Sequence, residues 1–438
     1  MINRLFIIYI AFTFPSVALA GGIQMEIPGS FHPTGYGARS KGMGSAFTGL
    51  CDDATAVSHN PAGLIQLRRP EFSIVYRYTN RYETITHFNH TKKHPAHDKD
   101  LDYFSFTYPF RSNDMDMGFT VAYQHLYEFQ RHWHFTYKQD DPPFQETHQM
   151  AYDQTGRLTA LGFSFCIGLT PRLSFGVTLN IWDDDLTDNQ WYQSYRYDTI
   201  ELYQGELYDE DIMLRDEQYA ISGLNANLGI LWEFHPGWRL GIVIKTPFHA
   251  DLEYQKIVQR VDQNMNPIGE ATIENIKNNT LAIPMSFGIG VSYRMSESLL
   301  FTTDLYQTLW DDFWIQTNNE SKISPVLGQP LDESHIKSAI QVRMGMEYLY
   351  ADKQKGYAVP IRLGGYYDPV PWEYDSQDYW GITFGSGIEI LKYQQLSLDI
   401  AYEYRWGEKP VSRHPLVTHY SEKSRSHQFY ASLTVYLM

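Results

Sequence analysis

Apolar and polar residues alternate along most of the chain after residue 70, and this period of two predicts β-strands. In one clear segment, Phe104, Phe106 and Tyr108 alternate with Ser105 and Thr107. The pattern recurs in about fourteen segments, and single-chain outer-membrane barrels have even strand numbers. The segments lie near residues 72–78, 104–110, 117–123, 161–167, 173–181, 224–232, 240–244, 285–291, 299–305, 340–348, 361–363, 380–390, 396–404 and 429–437.

The connections between these predicted strands are alternately long and short. Stretches such as 129–150 and 186–217 follow odd-numbered strands, whereas tight turns such as Thr170–Arg172 and His235–Gly237 follow even-numbered ones. Long extracellular loops that alternate with short periplasmic turns are typical of outer-membrane barrels. The alternation also predicts that both chain termini lie in the periplasm.

The two faces of the predicted strands differ in chemistry. The less apolar faces are rich in Gly, Ser, Thr and Asn, which suit a crowded lumen, and the apolar faces end in residues such as Trp232, Tyr348 and Trp380. Aromatic residues at both interfaces are typical of membrane barrels. We therefore predict an all-β fold, a transmembrane antiparallel β-barrel of about fourteen strands over residues 70–438. A large soluble β protein with irregular loops is the alternative.

Composition and charge exclude other classes. The chain has 438 residues, with 35 Lys and Arg against 51 Asp and Glu, a formal net charge of −16. This balance argues against a nucleic-acid partner, which requires clustered basic charge. The mean hydropathy of −0.40 excludes a bundle of membrane helices but is compatible with a barrel, whose lumen and loops are polar.

The first residues have the pattern of a secretory signal peptide. Arg4 supplies a positive charge, Leu5–Phe14 is apolar, and Ala18–Ala20 forms an A-x-A cleavage site. We predict a signal peptide over residues 1–20 and an exported mature protein. No later apolar stretch in the sequence is long enough for a membrane helix.

Residues 21–69 differ from the rest of the chain because they are not strand-like. In Gly42–Leu64, Asp52 is placed to cap a short helix, and Pro61 ends that helix at the preceding residue. The segment precedes the first strand on the predicted periplasmic side, so it can fold back into the lumen. We predict that residues 21–69 form a hatch that plugs the barrel.

These motifs carry a resemblance to a known family. The blocks GMGSAF (Gly42–Phe47), DDATAV (Asp52–Val57) and NPAGL (Asn60–Leu64) occur in order, followed by strand blocks such as IPMSFGIGVSY (Ile283–Tyr293). The chain resembles the FadL-like outer-membrane transporters, which carry long-chain fatty acids and other hydrophobic compounds. The resemblance covers nearly the whole mature chain.

The resemblance implies a mechanism and several site residues. It implies a fourteen-stranded barrel with an interior hatch, in which Asn60, Pro61, Ala62 and Gly63 form the hatch motif. It also implies capture at apolar extracellular loops, transfer to a lumen pocket, and hatch-gated release through a lateral gap in the third strand, here near Gly118–Tyr127.

We accordingly predict passive uptake of hydrophobic molecules, most simply long-chain fatty acids or similar lipids, across a Gram-negative outer membrane. The predicted partners are outer-membrane lipid, lipopolysaccharide, a hydrophobic ligand and the outer-membrane assembly machinery, and the protein is predicted to be a monomer. No enzymatic motif or cofactor fingerprint is recognisable. The alternative is a non-transporting barrel of the PorV kind that serves protein secretion or surface attachment.

Candidate ligand contacts follow from side-chain chemistry. An aromatic group in stretch 186–217 suits capture of apolar ligands or packing of the loop onto the rim; it comprises Trp191, Tyr192, Tyr195, Tyr197 and Tyr203. Three lumen cations could contact an anionic head group or pair with Glu347 or Glu389 instead; they are Lys245, Arg343 and Arg362.

Cysteines and histidines offer little further chemistry. The two cysteines, Cys51 and Cys166, could form a disulfide between hatch and wall in the oxidising periplasm, or remain free. Histidines cluster near His94 in the first long connection, but no cysteine or well-placed carboxylate completes a metal site in the sequence. A solvated loop is the favoured interpretation, and we predict no metal.

Overall fold

The computed structural model describes residues 36–87, 90–317, 321–326, 328–370, 377–390, 396–409 and 420–437. The predicted signal peptide and the first part of the predicted hatch, residues 1–35, lie outside this range. Among the described residues the helices are short: α1 (Ala38–Gly42), α2 (Ala56–His59), α3 (Asp184–Thr187), and 3-10 helices over Pro61–Gln66, Trp310–Asp312 and Leu331–Glu333. No helix within the described part of the chain has the length and apolar character needed to cross a membrane.

Most described residues lie in β-strands. In chain order the strands are β1 (Glu71–His87), β2 (His90–Ser112), β3 (Met115–Glu128), β4 (Arg131–Asp141), β5 (Phe144–Thr170), β6 (Leu173–Trp182), β7 (Gln190–Tyr203), β8 (Glu206–His235), β9 (Trp238–Lys245), β10 (Phe248–Val261), β11 (Pro267–Ile283), β12 (Ser286–Arg294), β13 (Leu299–Thr308), β14 (Trp314–Gln316), β15 (Lys322–Ile323), β16 (Ala339–Asp352), β17 (Tyr357–Val370), β18 (Gln377–Ile390), β19 (Leu396–Lys409) and β20 (Tyr420–Tyr436).

Fourteen of these strands form a closed antiparallel barrel. Its order is β1-β2-β3-β5-β6-β8-β9-β12-β13-β16-β17-β18-β19-β20. The pairing of β1 with β20, from Glu71 opposite Tyr436 to His87 opposite Tyr420, closes the barrel. Each of the fourteen predicted segments falls on one of these strands, so the predicted fold class is confirmed.

The outer surface of the barrel is apolar and the inner surface is polar, as the alternation predicts. Phe72, Trp232 and Trp380 are 40%, 47% and 50% exposed, whereas neighbouring inward residues such as Ser73 and Thr383 are buried. An apolar band around the outside is what a barrel in lipid requires.

Several predicted long loops are instead strands. β5 and β8 continue past the barrel and join β4, β7, β10, β11, β14 and β15 in an eight-stranded antiparallel sheet. We call this eight-stranded sheet the upper sheet. The upper end of the barrel is the end opposite the short turns. The connections at 129–150 and 186–217, predicted as long extracellular loops, are mostly strands, because these hairpins pair with each other and bury one face.

Candidate functional site

Residues 36–67, which we call the interior segment, lie against the inner wall of the barrel on several sides. The Ala38 amide donates to Ser432 Oγ of β20 over 2.7 Å. The Phe47 amide donates to Asp304 Oδ2 of β13 over 2.8 Å. Backbone donors that would otherwise be buried without partners are therefore satisfied by inward-facing side chains of the wall.

Glycines of the wall make room for this segment. At seven inward glycines an added Cβ would come within 2.9 Å of an atom of the interior segment. We call these seven positions the glycine groove; they are Gly176, Gly229, Gly241, Gly290, Gly345, Gly364 and Gly385. At Gly345 the Cβ would lie 2.4 Å from the carbonyl oxygen of Met43. Contacts this short require glycine, because any side chain would displace one of the two backbones. The segment and the wall are thus fitted to each other across seven strands.

The predicted hatch motif forms hydrogen bonds both within the interior segment and to the barrel wall. Asn60 caps the 3-10 helix Pro61–Gln66, since its Oδ1 accepts from the Ala62 amide over 3.2 Å. Its Nδ2 donates to the carbonyl oxygens of Thr48 and Ile230, each over 3.0 Å. Both N–H donors and one acceptor position of this side-chain amide are therefore used, which explains why asparagine stands there.

The predicted capping role of Asp52 was wrong. Helix α2 begins at Ala56, and its cap residue Thr55 makes no side-chain cap. Asp52 instead contacts Arg39 over 2.5 Å, because the half-buried guanidinium of Arg39 requires a counter-charge.

Arg362, a predicted head-group contact, is enclosed by carboxylates. Its side chain is fully buried, and it donates to Glu347 over 2.7 Å and to Asp399 over 2.5 Å. Arg39 of the interior segment donates to the same Glu347 oxygen over 3.0 Å. Arg362 is therefore part of a structural ion network, the alternative that the sequence left open, and is not accessible to a ligand here.

A charged cavity of about 150 Å³ lies between the interior segment and the wall, next to β1, β3 and β20. Its charged lining residues are Lys41, Arg77, Arg81, Arg343, Arg405, Asp102, Glu128, Asp368 and Glu403. Arg343, the second predicted head-group contact, belongs to this lining, donates to Gln341, and lies 5.1 Å from the Tyr306 ring centre. Cations and anions nearly balance, so this cavity does not favour a purely apolar ligand.

A second cavity of about 40 Å³ lies nearer the upper end. Lys245, the third predicted head-group contact, lines it with amides such as Asn180, while Trp182, Phe248 and Trp310 contribute apolar walls. The Lys245 ammonium lies 5.6 Å from the Tyr306 ring centre. The volume is that of about one water in the present conformation. Its chemistry, apolar on one side with a single cation, suits an amphiphile.

A large apolar cluster covers this second cavity. It forms where strands pass from the barrel into the upper sheet, and it includes residues of both, among them Phe129, Trp191, Tyr219, Leu252, Leu281 and Phe313. Tyr127, Trp182, Phe248 and Trp310 belong both to the cluster and to the lining of the cavity. We call the whole apolar cluster the mouth cluster. It provides an apolar connection between the upper sheet and the lumen.

The predicted aromatic capture group is divided by the structure. Trp191 is fully buried in the mouth cluster, with its ring centre 4.6 Å from Tyr219, and burial raises the pKa of Tyr219. Tyr192 is 47% exposed, whereas Tyr195 packs on Tyr152 and Tyr197 contacts His148. Trp191, Tyr195 and Tyr197 are therefore packed positions of β7, whereas Tyr192 is exposed.

Cys51 and Cys166 are both buried free thiols. They belong to the same hydrophobic cluster, but the Cys51 thiol donates to the Phe47 carbonyl over 2.7 Å. The disulfide that the sequence allowed is not formed.

The barrel wall has a seam between β2 and β3. Their hydrogen-bonded pairing ends at Tyr103 opposite Gln124, although both strands continue towards the upper end. The register of β3 against β5 shifts between His125 and Tyr127. These positions of β3 lie within Gly118–Tyr127, the stretch for which the family resemblance implied a lateral gap, and the sequence showed them only as loosened alternation.

The fold and its interior define a class, closed fourteen-stranded antiparallel barrels with an N-terminal segment against the inner wall. The chain belongs to the BamG family, whose model matches residues 4–411. No curated protein matches the chain in sequence.

Several solved structures share the fold. A Pseudomonas aeruginosa FadL homologue is 13% identical with a TM-score of 0.63, over 93% of this chain and 100% of that chain. The Ralstonia pickettii toluene transporter TbuX is 14% identical with a TM-score of 0.56, over 93% and 100%. The P. putida toluene transporter TodX is 13% identical with a TM-score of 0.58, over 92% and 99%. The FadL-like resemblance is thus confirmed for the fold, while the family is BamG.

Proposed function

We propose that this protein is an outer-membrane channel for passive uptake of hydrophobic molecules in a Gram-negative envelope. Three proteins of this fold are described as a FadL homologue and two toluene transporters, which supports the proposal by analogy of fold. The apolar outer band supports the location. The observation that carries the function is the mouth cluster, which connects the upper sheet to the second cavity through Tyr127, Trp182 and Phe248.

The proposed path begins at the mouth cluster. An apolar molecule that enters from outside the cell loses contact with water there, at a gain of about 25 cal/mol per Å² of buried apolar surface. It then passes to the second cavity, where Lys245 can pair with an anionic head group. Long-chain fatty acids and similar lipids combine both features, and we propose them as substrates. No energy source is needed when the concentration gradient is favourable.

The proposed exit passes the seam, and the interior segment gates it. Residues 42–63 are held in the glycine groove, so movement is expected at the preceding end. Tyr36 lies at that end, donates its hydroxyl to the His125 carbonyl, and lies 6.0 Å from the Tyr103 ring centre. We propose that displacement of Tyr36 opens the lumen towards the seam.

Native mass spectrometry of protein extracted in mild detergent tests this function. We expect a co-purified apolar compound at about one per chain. Lys245→Met should abolish retention of fatty acids but not of neutral hydrocarbons, since only the head-group contact is removed. Lys277→Met is the matched control, because Lys277 is 73% exposed on the upper sheet. A barrel that never retains an apolar compound contradicts the proposal.

A second candidate function is attachment or secretion of a protein partner, as in barrels of the PorV kind. The small size of the two lumen cavities described above, about 150 and 40 Å³ among the described residues, favours it. The eight-stranded upper sheet offers a surface for a partner. In this case the purified barrel would be empty of apolar compounds and would retain a specific exported protein.

A further inference from the structure

A groove of about 790 Å³ crosses the outer surface of the barrel wall, from Trp238 of β9 to Trp406 of β19. Among the described residues, no charged side chain lines it. It lies opposite the seam, because seven successive strand pairings separate β3 from β16 in a barrel of fourteen strands. The surrounding surface is the apolar outer band, so the groove faces the hydrocarbon of the membrane.

The register of the strands explains the groove. Outward residues of neighbouring strands form rows across the wall, and one row runs from Val291 through Thr303, Met344 and Gly365 to Ile382. We call this row the groove floor. Gly365 has no side chain and Thr303 has a short one, so the wall is low on both sides of Met344. The Met344 side chain is unbranched and adapts its shape to what packs beside it.

The rows below and above the floor form its borders and carry packed aromatic pairs. On the lower side Trp238 stacks on Tyr293, with ring centres 4.2 Å apart. On the upper side Tyr367 packs on Trp380, with ring centres 4.7 Å apart. Each ring is held by its neighbour, so little side-chain freedom is lost when a ligand packs between the borders.

The distance between the borders selects a narrow ligand. Leu363 of the lower border and Tyr367 of the upper border are four residues apart on β17, which corresponds to about 13 Å. The border side chains fill part of this distance. The remaining width suits one hydrocarbon chain and is too small for an α-helix, which is about 10–12 Å across with its side chains.

The chemistry of the floor also selects hydrocarbon. Its one side-chain hydroxyl, on Thr303, donates to the Arg343 carbonyl oxygen of the wall over 3.1 Å. This hydrogen bond leaves the methyl group of Thr303 for the groove. A polar head group therefore finds no partner on the floor, whereas an acyl chain needs none.

The wall behind the groove consists of backbone alone where the interior segment lies against it. An added Cβ at Gly44 of the interior segment would lie 2.8 Å from backbone atoms of Gly365. The neighbouring Gly364 faces inward and belongs to the glycine groove. A ligand on the outer side would supply packing contacts that these glycines cannot make.

We propose that this groove binds one acyl chain of an outer-membrane phospholipid. Trp238 directly follows the short turn His235–Gly237, so the lower border lies at the predicted periplasmic interface. Phospholipid head groups lie at that interface, whereas lipopolysaccharide occupies the opposite leaflet. The inference does not rest on the proposed function, because the bound chain supports the wall from outside and does not enter the lumen.

Native mass spectrometry of the full-length protein in mild detergent tests the site. The wild type should retain about one phospholipid per chain. Thr303→Trp fills the floor and should lower this retention at least tenfold. Thr303→Val is the matched control, because it removes the hydroxyl and keeps the shape, and it should retain the lipid. Lys245→Met should retain the phospholipid too, which separates this result from the test of fatty-acid binding.

Two further variants complete the test, and the folding of each variant is checked by its heat-dependent migration in gels. Gly365→Leu fills the floor from β17 and replaces Thr303→Trp if that variant fails to fold. Leu228→Trp adds the same ring to an outward position of β8 that is 37% exposed, and it should bind like the wild type.

A phospholipid that is retained equally by the wild type and by a folded floor-filling variant overturns the proposal, because the lipid would then be bound elsewhere on the outer band. A wild type that retains no phospholipid also overturns it. Recovery of lipopolysaccharide or of a protein, lost in the floor-filling variant, would overturn the assignment of a phospholipid chain.

Discussion

Arg39 of the interior segment and Glu347 of β16 form an ion pair whose closest atoms are 3.0 Å apart. Arg362 of β17 donates to the same carboxylate oxygen over 2.7 Å. The Glu347 carboxylate thus connects Arg39 of the interior segment to Arg362 of β17, the strand next to β16. These wall residues are far in sequence from the first residues of the barrel.

The first prediction concerns this shared carboxylate. Glu347→Gln leaves the buried guanidinium of Arg362 and the half-buried one of Arg39 with less counter-charge, which should lower the free energy of unfolding by about 3 kcal/mol. Urea unfolding of the barrel in detergent measures this. Glu297→Gln is the control, because Glu297 is 96% exposed and lies 3.9 Å from Lys353, and it should unfold like the wild type. Equal stability of both variants would show that the network is dispensable.

The glycine groove should be intolerant of any side chain. Gly345→Ala places a Cβ only 2.4 Å from the Met43 carbonyl oxygen, so we expect a loss of about 1–3 kcal/mol in the free energy of unfolding and displacement of the interior segment. In planar bilayers the displaced segment should produce ion-conductance steps that the wild type lacks. Gly168→Ala is the control, since its Cβ would meet Ile65 at an ordinary 3.6 Å. Identical conductance for both alanine variants would contradict a fitted segment.

Acid should weaken the hairpin of β1 and β2 at the upper end. Burial and the neighbouring His134 and Lys92 lower the pKa of His94 to about 4. The unfolded chain, with a pKa near 6.5, therefore binds more protons between these values, and stability falls as the pH decreases from about 6.5 to 4. Between pH 7.5 and 5 the free energy of unfolding of the wild type should fall by about 1–2 kcal/mol more than that of His94→Gln, as measured by urea unfolding at each pH. A difference in the free energy of unfolding between wild type and His94→Gln that does not change with pH would contradict the lowered pKa of His94.

Alternation predicted the barrel strands because each has one face in contact with the apolar exterior and the other with the lumen. The same rule could not predict the upper sheet. In Glu206–Asp216 of β8, charged residues occupy both faces, and the partner strand β7 is what makes this stretch a strand. Sequence reasoning recognised small inward residues, but their role depends on Met43 and its neighbours, which approach only in the folded barrel.

The site residues show the same limit. Asn60 was identified from a motif, and its three hydrogen bonds explain that motif. The cations were predicted as a group, yet only the structure distinguishes Arg362, which is enclosed by carboxylates, from Lys245, which lines a cavity. The approach of His125 to Asp100 was not predicted, because two bulges in different strands bring these side chains together.

The most direct test of the central claim is uptake of a radiolabelled apolar compound, with oleate and toluene as probes, by cells that lack or express the barrel. Leu126 and Tyr127 line both cavities, so a larger side chain there should block the path between them. We predict uptake with the wild type and with Leu186→Trp, whose position is 65% exposed, and at least tenfold slower uptake with a folded Leu126→Trp variant. Equal uptake with and without the barrel, or by Leu126→Trp and wild type, would contradict a hydrophobic-compound channel through this lumen.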